Sequence, residues 1–195
     1  MDREALVTRK TRETDILVRL ALDGSGICES ATGMPFFDHL LEAFARHGLF
    51  DLQVQARGDL EVDQHHTVED VGITLGQALR GAVGDGSGLR RFGSMRLPMA
   101  DALVEIDLDV SNRPYLIYRV DLVRDWVGQF DAALVEDFLY AFCTNAGVDL
   151  HVTRVYGHNV HHVVEAIFKG LGRALDAATS LDPRVVGPPS TKGSL

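Results

Sequence analysis

The sequence contains two copies of a His-His-x-x-Glu motif, His65–Glu69 and His161–Glu165. On a helix, residues four apart share a face, so His65 can converge with Glu69, and the second copy offers the same arrangement. The adjacent histidine, His66, projects about 100° around the helix axis from His65. Each helix therefore offers donor atoms in two directions, which indicates two metal ions.

The donor types narrow the choice of metal. Imidazole and carboxylate donors without thiolate favour manganese, iron, nickel, cobalt or zinc, and they exclude an iron–sulfur cluster. The donors also exceed the four that a single tetrahedral zinc takes. We therefore predict two octahedral ions, with manganese as the first choice. If the two copies pack about a pseudo-twofold axis, or meet across a subunit contact, each helix can give one imidazole to each ion.

A further donor is expected from an earlier segment. His39 precedes His65 on a neighbouring helix, and the short connection between them is expected to bring both to the same site. Its counterpart in the second copy is Asp137, whose shorter side chain binds hard or borderline cations through oxygen. One of the two sites is therefore expected to differ in geometry or to admit a water. His151 and His158 are interpreted as structural or supporting groups.

The motif copies belong to a longer internal repeat. Three pairs of segments align in addition to the motif: Leu75–Leu79 with Leu171–Leu175, Phe37–Phe44 with Val135–Phe142, and Asp51–Val54 with Asp149–Val152. Aligned segments in the same order indicate a duplication. We predict a single domain made of two halves, residues 1–88 and 89–184, followed by a C-terminal tail, residues 185–195.

The elements that must position the motifs follow the same pattern in each half. Alternation with a period of two predicts strands, and a period of 3.6 predicts helices. The predicted segments are strands at Ile16–Leu22, Asp51–Ala56, Ala102–Val110, Tyr115–Leu122 and Asp149–Val155, helices at about Pro35–Arg46 and Asp131–Thr144, and motif helices capped by Asp63 and Asn159, with Gly81–Gly88 as the linker. We predict an α+β fold of two βββαβα halves, with helices packed on one face of a mainly antiparallel sheet.

Composition limits the class of partner. The chain has 195 residues, 46% of them hydrophobic, which is enough to build a core. Its formal net charge of -9 argues against a nonspecific nucleic-acid binder. No apolar run approaches the roughly 20 residues of a membrane span, and Met1–Glu4 does not open a secretion signal, so a cytoplasmic location is expected. Cys28 and Cys143 are interpreted as reduced thiols without a chemical role.

Longer stretches of the sequence resemble the imidazoleglycerol-phosphate dehydratase family, which are lyases of histidine biosynthesis. The matching segments are Arg12–Thr14, Met34–His39, His47–Gly48, Gly58–Leu60, His65–Asp70, Arg91–Gly93, Gly157–Lys169 and Pro189–Gly193. The resemblance implies a duplicated α+β fold and a manganese-dependent hydro-lyase. It also implies active sites at the subunit contacts of a large homo-oligomer, built from trimers and containing about 24 subunits.

The resemblance also implies roles for individual residues. The implied metal ligands are His39, His65, His66, Glu69, His161, His162 and Glu165, and Asp137 stands where the family has a histidine. The implied phosphate-binding residues are Arg91, Arg113, Lys169, Ser190 and Lys192, and Glu13 and His47 match substrate-contacting positions. A phosphate dianion requires such cations and hydroxyl donors. In this interpretation the C-terminal tail is a flap that orders over the substrate.

The implied reaction removes water from imidazoleglycerol phosphate to give imidazoleacetol phosphate. The carbon-bound proton is not acidic through any carbonyl, so the imidazole ring must supply the electrons, and two metals beside the ring nitrogens would favour this. Glu165 is the first choice of proton carrier, with Glu69 and Glu13 as alternatives. Two other functions stay open on the residues alone: a metal-dependent phosphohydrolase and a non-catalytic metal-binding module.

Overall fold

A computed structural model describes residues 3–122, 126–193 and 195 of the chain. The first half contains β1 (Glu4–Lys10), β2 (Thr14–Ala21), β3 (Cys28–Ala31), α1 (Pro35–Gly48), β4 (Asp51–Gly58) and α2 (His65–Val83). The second contains β5 (Phe92–Met99), β6 (Ala102–Asp109), β7 (Tyr115–Arg119), β8 (Trp126–Val127), β9 (Phe130–Asp131), α3 (Leu134–Ala146), β10 (Asp149–Tyr156) and α4 (Val160–Thr179). Met1 and Asp2, which open the predicted first half, lie outside the described residues.

The two halves form matching four-stranded sheets, in the orders β1-β2-β4-β3 and β5-β6-β10-β7. All neighbours are antiparallel except β3–β4 and β7–β10, which are parallel. Alternate residues of each central strand are buried, as in Ile16, Val18 and Leu20 of β2, so one face of each sheet carries the core. The helices cover that face. The predicted α+β fold of two βββαβα halves is confirmed, with the β8–β9 hairpin as an addition to the second half.

The helices pair between the halves, α1 against α4 and α2 against α3. Two glycines at equivalent positions of the repeat make these pairings close. A Cβ atom on Gly172 of α4 would lie 2.4 Å from the carbonyl oxygen of Phe44, and one on Gly76 of α2 would lie 2.5 Å from that of Phe142. These distances leave no space for a side chain, so backbone meets backbone at both contacts. The pairing decides which histidines can meet.

Replacing Gly172 with alanine is expected to destabilise the fold, because the added methyl group would push α4 away from α1. Overpacking of this kind costs about 1–3 kcal/mol. Chemical denaturation measures the free energy of unfolding. Gly81→Ala near the end of α2 is the matched control, since its Cβ would meet only the Cβ atom of Ala5, at 3.1 Å. A Gly172→Ala protein as stable as the control would contradict the close contact.

Several predicted boundaries need correction. The N-cap of α2 is Gln64 and not Asp63, although Asp63 Oδ1 still accepts a hydrogen bond from the backbone N–H of His65 at 3.2 Å. Asn159 is the N-cap of α4, as predicted, and accepts from the N–H of His162. The third helix begins three residues later than predicted, at Leu134, because Asp131 is in the hairpin. Gly81 still lies within α2, so the predicted linker begins later.

Within the described part of the chain, the helices are too short or too polar for any of them to cross a lipid bilayer.

Candidate active site

One group of potential metal ligands joins α1 to α4. Nε2 of His161 lies 3.0 Å from Oε2 of Glu165, and Nε2 of His39 lies 3.4 Å from the same oxygen. One ligand atom from each of the three residues lies within 4.8 Å of the others. The spacing of four residues on α4 brings His161 over Glu165, and the close α1–α4 contact adds His39. Two imidazole nitrogens facing one carboxylate oxygen is a donor set that fits a divalent transition metal.

Glu165 is the acid of this group, and only 8% of its side chain is exposed. Its Oε1 atom accepts from Nζ of Lys169 at 2.8 Å, one turn further along α4. Burial by itself raises the pKa of Glu165, but hydrogen bonds from Lys169 and His39 outweigh it and hold the pKa below its ordinary value. Glu165 is therefore ionised near neutral pH, as a base or a metal ligand must be.

A second group joins α2 to α3 at the equivalent positions of the repeat. Nδ1 of His65 lies 3.5 Å from Oδ2 of Asp137, and Nε2 of His65 lies 3.9 Å from Oε2 of Glu69. Glu69 has 46% of its side chain exposed, far more than Glu165. The two groups therefore use equivalent positions of the repeat. The second has longer distances between its polar atoms and a more exposed glutamate.

The hairpin β8–β9 lies beside the first group. In the first half three residues connect β3 to α1. In the second half residues 120–133 stand between β7 and α3, and they include the hairpin. The hairpin residues 127–130 line a cavity of about 550 Å³ together with Phe36, His39 and His161. The ring of Phe36 lies 5.0 Å from that of His161, between centroids. The second half thus supplies apolar residues beside the first group.

We predict from the sequence that His39 and His65 share a site. Within one chain they do not. His39 meets His161 and Glu165 of the other half. The reason is the pairing of helices between halves, because α1 packs on α4 whereas His65 stands on α2, which packs on α3. The same pairing places Asp137, the repeat counterpart of His39, beside His65.

The remaining motif histidines, His66 and His162, turn away from both groups towards carboxylates. Nδ1 of His66 lies 3.1 Å from Oδ2 of Asp59, and Nδ1 of His162 lies 2.6 Å from Oδ1 of Asp101. The hydrogen bond with Asp59 raises the pKa of His66. The hydrogen bond from His162, with backbone N–H groups, lowers that of Asp101. Sequence reasoning gave neither aspartate a role, although aligning Asp101 with Glu13 would have drawn attention to it.

Four of the five residues expected to bind phosphate surround a second cavity, of about 460 Å³: Arg91, Arg113, Ser190 and Lys192. Arg91 is held in place by Asp109, which accepts from its Nε and Nη2 atoms at 2.6 and 2.9 Å, and it donates from Nη1 to the carbonyl oxygen of Pro189. Arg91 thereby ties the C-terminal tail to the sheet. The cations and the hydroxyl of the cavity suit an anionic group.

Two places lie at opposite ends of α4. One is the cavity lined by Arg91, Arg113, Ser190 and Lys192, which we call the phosphate-type cavity. The other is the group of His39, His161 and Glu165, which we call the His161 group. The backbone N–H of Arg91 donates to the carbonyl oxygen of Ala178 at 2.8 Å, near the end of the helix, whereas His161 is in its first turn. At 1.5 Å per residue, the 17 residues from His161 to Ala178 span about 25 Å. The substrate implied by the resemblance, with one imidazole ring, three carbons and a phosphate, is much shorter. One chain alone therefore cannot present both places to the same substrate.

The other expected substrate residues lie outside the phosphate-type cavity. Lys169 pairs with Glu165. Glu13 is exposed in the β1–β2 turn, with Oε2 at 3.9 Å from Nδ1 of His66. His47, at the end of α1, has a lowered pKa, first through burial and then through the charges of Lys169 and Arg173. Its imidazole is therefore neutral at pH 7.

The other polar groups considered from sequence do not join these sites. Nε2 of His151 lies 3.2 Å from Oδ1 of Asp149 at the exposed face of β10, and the backbone of His158 contacts Asp101. Burial raises the pKa of the Cys28 thiol to about 11 and raises that of Cys143 as well, so both stay protonated near neutral pH. These residues keep the structural interpretation.

The chain is similar in sequence to known proteins along its whole length. The family model described as imidazoleglycerol-phosphate dehydratase matches residues 32–175. Imidazoleglycerol-phosphate dehydratase of Moorella thermoacetica is 55% identical over the full length of both chains, and that of Acetivibrio thermocellus is 54% identical, also over the full length of both.

Solved structures agree with the sequence comparison. The crystal structure of imidazoleglycerol-phosphate dehydratase from Staphylococcus aureus matches with a TM-score of 0.83 and 34% identity, over 92% of this chain and 99% of that one. The Pyrococcus furiosus structure also has a TM-score of 0.83, with 40% identity over 97% and 100% of the two chains. The resemblance carried by the motifs is confirmed: the chain belongs to the imidazoleglycerol-phosphate dehydratase family.

Proposed function

We propose that this chain performs the reaction of its family with two divalent metal ions, manganese being the first choice. The chain is a hydro-lyase of histidine biosynthesis that removes water from imidazoleglycerol phosphate. Membership of this family decides against the two alternatives that the residues alone left open, a phosphohydrolase and a non-catalytic metal-binding module. The metal, the residue roles, the assembly and a cytoplasmic location belong to the proposal.

The observation that carries the metal proposal is the pair of repeat-related donor groups. His39, His161 and Glu165 would hold one ion, and His65, Glu69 and Asp137 would contribute to the other. Nδ1 of His66 and Nδ1 of His162 each contact a carboxylate outside these groups, and we propose that the Nε2 atoms complete the sites of neighbouring copies. When bound, the ions would act as Lewis acids towards the imidazole ring of the substrate and stabilise negative charge on it.

Glu165 is proposed to move the proton, with Glu69 and Glu13 as alternatives. Its carboxylate is ionised and largely shielded from water, and it is oriented by His161 and Lys169. Lys169 donates to one oxygen while His161 and His39 face the other, so the carboxylate keeps one orientation. A proton carrier held in this way loses little entropy when it reaches the substrate carbon.

The phosphate of the substrate is proposed to bind between Arg113, Lys192, Ser190 and the already anchored Arg91. The separation of about 25 Å along α4 means that this phosphate site must serve the metal ligands of another copy. This supports a homo-oligomer with active sites at subunit contacts, in agreement with the trimer-based assembly of about 24 subunits implied by the resemblance. Lys169, beside Glu165, would meet the substrate from the metal side.

Mixing two inactive variants tests this arrangement. Glu165→Gln removes the base and Arg113→Ala removes a phosphate contact, so each assembly alone is expected to show little turnover. If equal amounts are dissociated and reassembled together, about one quarter of the sites should combine an intact base with an intact phosphate site, because each comes from a different copy at random. Steady-state turnover of the mixed assembly measures the recovered fraction.

A matched control uses two variants on the same side of the site. Glu165→Gln mixed with His161→Ala should recover nothing, because both residues belong to one donor group of one chain. Failure of the Arg113→Ala mixture to exceed the sum of its parts, in a verified mixed assembly, would contradict sites shared between copies.

A further inference from the structure

The histidines that turn outward, His66 and His162, are held by carboxylates from different parts of the repeat. Nδ1 of His162 lies 2.6 Å from Asp101, in the β5–β6 turn. Nδ1 of His66 lies 3.1 Å from Asp59, in the loop that joins β4 to α2. In both cases the bound nitrogen is Nδ1, although the carboxylates come from non-equivalent positions.

Comparison of the two halves shows why the two carboxylates come from different positions. Asp101 directly precedes β6, as Glu13 directly precedes β2, so the two acids occupy equivalent turns. Gly58 and Gly157 are also equivalent, because a Cβ atom on either would contact the matching residue of the motif helix, Thr67 or Val163. Residues 59–64 follow the first glycine before the motif, but only residues 158–160 follow the second. The second half therefore has no counterpart of Asp59.

We propose that Asp101 and Asp59 are positioning residues that fix the imidazoles of His162 and His66 with Nε2 free to bind metal, and that Asp59 thereby releases Glu13 for the substrate. The inference rests on the proposed metal sites. It adds two residues to the reaction and a reason why only one of the two equivalent turns supplies a substrate contact.

Hydrogen-bond chemistry determines the tautomer. An ionised carboxylate only accepts, so in the neutral imidazole Nδ1 must carry the proton and Nε2 keeps its lone pair. The second oxygen of Asp101 accepts from the backbone N–H groups of His158 and Asn159, at 2.7 and 3.0 Å. This fixes the aspartate to the residues that directly precede α4 and, through it, the ring of His162. Carboxylates that orient metal-binding imidazoles in this way typically contribute 10- to 100-fold in affinity.

The two halves differ in whether a second carboxylate lies near the histidine. Oε2 of Glu13 lies 3.9 Å from Nδ1 of His66, close enough to replace Asp59 after a small movement. For His162, Asp101 is the single acid within 4.0 Å among the residues that the structure describes. Loss of Asp101 should therefore matter more than loss of Asp59, unless Glu13 is removed as well.

The test compares Asp101→Asn, Asp59→Asn, Asp59→Asn with Glu13→Gln, and Glu105→Gln as a control. Glu105 is an acid within β6, paired with Arg96. Calorimetric titration of the metal-free full-length chain with Mn²⁺ should show affinity lowered about 10- to 100-fold for Asp101→Asn. Asp59→Asn alone should lose much less, and the double variant should match Asp101→Asn. Glu105→Gln should bind like the unsubstituted chain.

A second readout needs no metal. Nitrogen NMR of ring-labelled histidine in the metal-free protein should show His162 with a protonated Nδ1, and Asp101→Asn should redistribute the proton between the two nitrogens; a His162→Gln variant identifies the signal. Unchanged tautomer and unchanged Mn²⁺ affinity in Asp101→Asn would each overturn the inference. An unsubstituted chain that takes up no Mn²⁺ would overturn the metal proposal as well, and this is recognised before any variant is made.

Discussion

Glu165→Gln is expected to lower kcat by about 10²- to 10⁴-fold while the fold and most of the bound metal are retained. Glutamine keeps the shape and one oxygen donor of glutamate, but it cannot carry a proton at neutral pH. The residue is chosen because His161, His39 and Lys169 converge on its carboxylate and only 8% of its side chain is exposed. Steady-state formation of imidazoleacetol phosphate measures the loss, and elemental analysis measures the metal retained.

Glu69→Gln is the matched control, since Glu69 occupies the equivalent position of the repeat. Its carboxylate is exposed and lies 3.9 Å from His65, with no lysine paired to it among the described residues. The loss of turnover should therefore be smaller than for Glu165→Gln. Activity of Glu165→Gln equal to that of the unsubstituted chain would eliminate Glu165 as the base and turn attention to Glu69 and Glu13.

Local patterns predicted the four long helices and the strands β2, β4, β6, β7 and β10, whereas β1, β3 and β5 were not assigned to particular residues. The alternation at Ile16–Leu22 and the helical spacing of the two motifs are both properties of short windows, and repetition of the whole set in the second half reinforced each assignment. The β8–β9 hairpin was not predicted, because two strands of two residues each leave no periodic signal. That hairpin lines the cavity beside His39 and His161.

The partners of the histidines depend on contacts between distant segments. The sequence aligned Gly76 with Gly172, but nothing in the alignment showed that each glycine faces a carbonyl oxygen of a helix from the other half. Without that contact, the nearest helix in sequence appeared to be the natural partner of His65. Asp101 and His162 are likewise 61 residues apart, and they meet because a strand turn and a helix start share one end of the sheet.

The phosphate-type cavity depended on the family resemblance. Arg91, Arg113 and Lys192 lie in three separate segments, and a lysine near a chain end has no distinctive pattern of its own. The structure brings these residues together because Arg91 donates to Pro189 and so holds the tail against the second sheet. They lie about 25 Å along α4 from His161, which is longer than one molecule of imidazoleglycerol phosphate.

Removal of the metal is expected to have the largest effect of all, a loss of turnover to the level of the uncatalysed reaction. The described acids and bases can move protons, but the substrate carbon lacks an adjacent carbonyl, and no cationic side chain other than Lys169 is paired with either donor group among the described residues. In the proposed scheme, charge on the imidazole ring is stabilised by the ions. Chelation followed by gel filtration prepares the metal-free chain, and its residual rate is compared with that of the starting protein.

Readdition of metal makes the experiment specific. Mn²⁺ should restore turnover in proportion to uptake, up to two ions for each chain, as the two repeat-related donor groups require. Mg²⁺ should restore little, because it prefers oxygen ligands and water whereas these groups supply several imidazoles. Turnover that persists in protein shown by elemental analysis to be metal-free would refute the two-ion scheme, and full recovery with one ion for each chain would leave the group around Asp137 without a metal.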